Sequence, residues 1–139
     1  MRRAIVDTAP LVAFLDRAEL HHRWVLDLVE ELEPPLLLCE AVLAETMHLL
    51  AGFSRGQVAL FELLENGALR IAFRIEDHIP ALRKLHQKYR DRPMSLADAC
   101  IVRMTEIYQQ YSVLTLDSDF TIYRKHGHEP LTLIFPAPG

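Results

Sequence analysis

RAIVDTAPLVAFL, residues 3–15, joins two structural signals. Ala4, Ile5 and Val6 form a short apolar run, and the pattern predicts a buried strand over Arg3–Asp7. Pro10 suits the first turn of a helix, and Leu11, Val12, Phe14 and Leu15 supply that helix with an apolar surface. A strand followed at once by a helix points to an α/β arrangement in which helices cover a sheet. The strand ends on an acid. A carboxylate at the end of a hydrophobic run is costly unless it is paired or binds a metal, so Asp7 raises the question of what else converges on it.

Further along, the same alternation recurs. A helix is expected over His21–Leu32, with Trp24, Val25, Leu28, Val29 and Leu32 at helical spacing and Pro34-Pro35 as its stop. Leu36–Cys39 reads as a strand and Glu40–Ala51 as a helix ended by Gly52. Ser54 is expected to cap a helix through Val58, Leu60, Phe61 and Leu64 to Asn66-Gly67. Leu69–Phe73 follows as a strand and Ile79–Tyr89 as an amphipathic helix. Ser95 caps a long helix to about Gln110, and Val113–Asp117 and Leu131–Phe135 complete the strands. The expected fold is α/β with a mainly parallel central sheet covered on both faces.

The 139 residues suit one domain, spanning 1–139, of which half is hydrophobic. The apolar runs fall far short of the roughly 20 residues needed to span a bilayer. The N-terminus carries no apolar signal region, so a cytoplasmic location is the default expectation. Cys39 and Cys100 lie among apolar neighbours and read as core residues rather than a disulfide framework. Trp24, Met47, Phe61 and Met104 likewise read as core. The apolar faces of the first four helices exceed what one sheet covers, which favours a homodimer.

Four acids have positional reasons to meet. In open parallel sheets ligands bind at the carboxyl ends of strands, where Asp7 ends RAIVD and Asp117 ends VLTLD. Glu45 lies in AVLAETMHLL, and its helical neighbours Ala41, Val42, His48 and Leu49 are mostly apolar. It therefore either points into the domain or sits at the edge of that stripe. Asp98, in SLADACIV, has the spacing of a capping box from Ser95, and a helix start also holds a carboxylate rigidly at a site edge. Asp119 is either a fifth acid or a turn residue. No lysine or arginine lies within these short motifs, and clustered like charges repel unless a cation intervenes. An all-oxygen set suits Mg²⁺ or Mn²⁺. The chain has 19 acidic and 15 basic residues, so its net charge of −4 equals the charge of the four acids.

These motifs together resemble the PIN domain family, of the kind found in VapC-type toxins. The resemblance rests on VDTAPLVAFLD, the Glu of AVLAETMHLL, the Asp of SLADACIV, and LTLDSDF followed by YRKHG. It implies a three-layer α/β/α sandwich and a Mg²⁺- or Mn²⁺-dependent endoribonuclease with Asp7, Glu45, Asp98 and Asp117 as its acidic quartet. It also implies Asp119 as a variable further metal ligand, and Thr8 and Thr115 as hydroxyls that support the acids. A homodimer neutralised by a small antitoxin is the expected context, with RNA as substrate. An RNA-processing nuclease without a toxin role, or an inactive binding module on the same fold, remains the alternative.

Other carboxylate-rich α/β folds fit less well. A receiver domain needs an acidic pair on an early loop and a lysine ending a late strand. Haloacid-dehalogenase-type phosphatases carry Asp-x-Asp on the first strand, and a Toprim reading leaves Glu45 and Asp98 unexplained. Residues 70–92 hold 7 basic and 3 acidic residues, and Arg83, Lys84, Lys88, Arg90 and Arg92 are the candidates for contacting RNA phosphates. The pairs His21-His22 and His126-Gly127-His128 lack the ligand spacing of a zinc site and read as surface or capping residues.

Overall fold

The computed structural model describes residues 1–136. Its elements run β1 (Arg3–Val6), α1 (Thr8–Leu15), α2 (His22–Val29), β2 (Leu36–Leu38), α3 (Glu40–Leu49), α4 (Ser54–Glu65) and β3 (Leu69–Ile71). A 3-10 turn (Ile75–His78), α5 (Ile79–Lys88), α6 (Leu96–Ile107) and β4 (Tyr111–Leu114) follow. A second 3-10 turn (Ser118–Thr121) then leads to β5 (Arg124–Lys125), β6 (Glu129–Pro130) and β7 (Leu133–Ile134).

Strand order in the central sheet is β3-β2-β1-β4-β7, and every pairing is parallel. Ala4, Ile5 and Val6 are buried, as are Leu36, Leu37 and Leu38. Strands this apolar on both faces need helices above and below. Val6, Leu36 and Leu114 line an apolar cavity of about 160 Å³ with Leu11 of α1, Val25 of α2 and Leu63 of α4. The buried helix α6, carrying Ala97, Cys100, Ile101 and Met104, packs against β1, β4 and α5. The result is the expected three-layer α/β/α sandwich.

Several boundaries differ from the sequence reading, each for a local reason. Asp7 is not the last residue of β1 but the N-cap of α1, its side chain accepting the Thr8 N–H. The strand before Asp117 ends at Leu114, because Asp117 caps the second 3-10 turn. Ser54 does not cap α4. It is the first helical residue, and Phe53 occupies the cap position without a side-chain bond. Ser95 does cap α6, accepting the Asp98 N–H, but the helix stops at Ile107. The β5–β6 hairpin, made of Arg124–Lys125 and Glu129–Pro130, lacks the apolar alternation that announces a strand. Met104 is fully buried, and Trp24 and Met47 pack against the core, but Phe61 is 50% exposed. Both cysteines are buried and free. Among the described residues no helix is long and apolar enough to cross a membrane.

Candidate active site

The parallel register between β1 and β4 sets Val6 opposite Leu114. One step further along both strands, Asp7 and Thr115 face each other where the ladder ends, and the Asp7 N–H still reaches the Leu114 carbonyl at 2.9 Å. Thr115 Oγ1 donates to Asp7 Oδ2 at 2.8 Å and accepts the Asp117 N–H at 2.9 Å. A single buried hydroxyl therefore ties the two strand-end acids together. The other Asp7 oxygen accepts the Thr8 N–H at 2.8 Å.

Asp7 is 7% exposed. Burial pushes its pKa up to about 6, Asp98 and Asp117 push the same way, and the bonds from Thr8 and Thr115 oppose the rise. Asp98 is also raised, first by burial and then by the charges of Asp117 and Asp119, against hydrogen bonds from Tyr123 and Ser95. These mutual effects put Asp7, Asp98, Asp117 and Asp119 within one electrostatic neighbourhood. Among the described residues no lysine or arginine bonds to Asp7, Asp98 or Asp117. Arg92 Nη1 lies 3.6 Å from Asp119 Oδ1 and is the cation at the rim.

Glu45 approaches from α3. It is exposed, and so are His48 and Leu49, so the apolar stripe expected around it is open to solvent there and Glu45 sits at its edge. Thr8 Oγ1 donates to Glu45 Oε2 at 3.3 Å, which links this acid to the residue after Asp7. The Asp119 N–H is bonded to Asp117 Oδ1 at 2.9 Å, so Asp119 belongs to a capped turn and at the same time adds its charge to the group. Arg83 and Arg90 are exposed on and beyond α5 and make no bond to the acids.

Tyr123 escapes the sequence reading. Its hydroxyl donates to Asp98 Oδ2 at 2.9 Å from a fully buried ring. Burial and the Asp98 bond both raise the phenol pKa, so it stays a donor. The signal for it was the aromatic pair Phe120 and Tyr123 just after the acids, since a buried tyrosine usually needs a partner for its hydroxyl.

The donors here are all oxygens and carry like charge, which fits a hard divalent cation. Among the described residues no group of three acid, histidine or cysteine side chains is arranged to hold a metal ion by itself.

Comparison with known proteins places the chain in a family. The model of the PIN domain matches residues 4–125, a span that contains all five acids and Tyr123. Ribonuclease VapC26 of Mycobacterium tuberculosis is 30% identical over 134 residues, covering 94% of this chain and 98% of that protein. The parallel sheet, the acids at its carboxyl edge and a match running almost end to end lead to one conclusion: the chain belongs to the PIN domain family.

Proposed function

We propose that this protein is a Mg²⁺- or Mn²⁺-dependent endoribonuclease and the toxin of a type II toxin–antitoxin pair. The observation that carries the reading is a buried Asp7 tied through Thr115 to Asp117, with Asp98 near enough to raise its pKa and, among the described residues, no protein cation bonded to any of the three. The 30% identity to a ribonuclease supports the choice of RNA as substrate.

In this reading one or two of Asp7, Asp98 and Asp117 would bind the metal directly and the remainder would act through its bound waters, with Glu45 and Asp119 at its periphery. When bound, the ion polarises the scissile phosphate and lowers the pKa of a water to give the nucleophile. The chain's own residues set the geometry. Thr115 fixes Asp7 relative to Asp117, Tyr123 fixes Asp98, and Thr8 bonds Glu45 at the open edge; in this reading the Glu45 carboxylate would orient the attacking water. A homodimer and a small antitoxin partner complete the proposal.

Cleavage of a mixed RNA pool tests it, using Mg²⁺, Mn²⁺ or EDTA and the variants Asp7→Asn and Asp98→Asn. The wild type is expected to cut only with the cation, and both variants to fall by at least about 100-fold. Activity that survives in identically purified variants would belong to a contaminant or to another site and would sink the assignment. A short open reading frame beside the gene, encoding a protein that binds this one, is expected for the toxin. Its absence would favour an RNA-processing role.

A further inference from the structure

Several cations of this chain are already paired: Arg3 with Glu33, Arg23 with Asp27, Arg74 with Glu76 and Asp77, and Arg92 with Asp119. One groove departs from that pattern. It lies between α5, α6 and the β5–β6 hairpin, has a volume of about 520 Å³, and is lined by Lys84, Lys88, Arg103, Arg124 and His126. Its two carboxylates are engaged. Asp77 is held by Arg74 at 3.3 Å, and Glu106 by Arg103 at 3.0 Å and by the His126 N–H at 2.6 Å. Lys88 Nζ donates to the Gly127 carbonyl at 2.7 Å, and Arg124 Nη1 to the carbonyls of Thr121, Ile122 and Tyr123. Among the described residues, Lys84, Lys88 and Arg124 thus face one groove with no carboxylate partner.

The groove wall is fixed in place. His126 and Gly127 have φ of 51° and 82°, a left-handed pair that turns the hairpin, and His126 adopts it at a steric cost a glycine would not incur. Glu106 holds that turn to α6 and Lys88 holds it to α5. None of the five acids lines the groove, but a chain of side-chain contacts links its wall to Asp98. The Arg124 N–H donates to the Tyr89 hydroxyl at 2.9 Å, the Tyr89 ring meets Tyr123 edge-on at 5.1 Å, and Tyr123 bonds Asp98. From there Lys88 and Lys84 form a row along α5, one helical turn and about 6 Å apart.

We propose that this groove binds the phosphodiester backbone of the RNA strand flanking the cleaved bond, an inference that rests on the ribonuclease reading above. Three cations with no carboxylate partner, in a groove whose wall is linked to Asp98, suit a polymer of regularly spaced phosphates, part of which must be brought to the acids. The basic segment of the sequence is then divided by function. Lys84 and Lys88 contact RNA with Arg124, Arg92 tends the acid rim, and Arg83 and Arg90, which do not line the groove, contribute little.

Binding of a labelled single-stranded RNA in EDTA, measured by fluorescence anisotropy over a range of salt, tests the division. Lys84→Ala/Lys88→Ala is expected to weaken binding at least about 10-fold at low salt and to flatten the log–log salt dependence by about 1.4, the loss of two phosphate contacts on a single strand. Lys84→Ala alone, which removes no structural bond, is expected to flatten it by about half as much. Arg83→Ala/Arg90→Ala removes the same charge and is expected to stay within about 2-fold of wild type. Equal losses in the two pairs, or polyglutamate bound as tightly as RNA by the wild type, would overturn the proposal. Wild-type cleavage of the same RNA with Mn²⁺, run in parallel, separates the two readings: cleavage with equal losses defeats the groove alone, whereas groove-dependent binding without cleavage defeats the nuclease.

Discussion

Asp7 is held where its own ionisation is opposed. Its carboxyl titrates at about 6 in the fold against 3.8 for an unperturbed group, chiefly because it is buried. Between those values the folded protein binds more protons than the unfolded chain, so without metal the Asp7 contribution to stability is intact below about pH 4 and is lost as pH rises through about 6. A shift of about two units corresponds to up to about 3 kcal/mol at neutral pH. Asp7→Asn is therefore expected to be more stable than wild type at pH 7 in EDTA and equal to it near pH 4. Part of the gain is offset because the Thr115 hydroxyl must turn from donor to acceptor. Addition of Mn²⁺ is expected to raise the unfolding temperature of the wild type and leave the variant unmoved. Chemical denaturation at the two pH values checks the sign, and a variant less stable than wild type at pH 7 would show that Asp7 is a structural cap and not a charge awaiting a cation.

At the scale of elements, the segment from Asp117 to Tyr123 acts as a bracket. Asp117 caps the 3-10 turn, Asp119 meets Arg92, and Tyr123 returns to hold Asp98 at the start of α6. Its members are expected to differ in a Mn²⁺ titration. Tyr123→Phe removes the donor that orients Asp98 and is expected to lower affinity about 10- to 100-fold, with the fold retained because only the hydroxyl is lost. Asp119→Asn removes a charge already met by Arg92 and is expected to cost less than about 10-fold. A larger loss for Asp119→Asn than for Tyr123→Phe would make Asp119 a direct ligand. The sequence carried the alternation of strands and helices because runs such as Ala4–Val6 and Leu36–Leu38 are apolar on both faces. It did not carry their last residues, because Asp7 and Asp117 leave the ladder to cap the next element, a choice made by backbone geometry. Asp7, Glu45, Asp98 and Asp117 were legible as candidates from their positions at strand and helix ends. Thr115 entered as a supporting hydroxyl only through the family resemblance, and Tyr123 not at all, since each acts through contacts between segments far apart in the chain.

For the whole molecule, the open question is what covers the outer face of α4. The sequence reading placed Phe61 in the core, yet Phe61 is 50% and Val58 56% exposed, three residues apart on the same helical face, while Leu49 and Phe53 at the α3–α4 corner are 56% and 36% exposed. The helix buries Leu60 and Gly56 inward, so its amphipathic pattern has an inner face that packs on the domain and an outer apolar pair that the domain leaves open. Removing a side chain of this size from water contributes about 1.5–3 kcal/mol when complete, and a two-fold arrangement would use each residue twice. The proposed homodimer is the arrangement that covers this pair with a second copy. Sedimentation at micromolar concentration is expected to give twice the chain mass for wild type and the single chain mass for Phe61→Glu. The variant is expected to keep its helical content, because the substituted side chain is half in solvent and the inward Leu60 is untouched. A wild-type monomer would remove the dimer from the proposal, and a dimer that Phe61→Glu leaves intact would move its interface to another face.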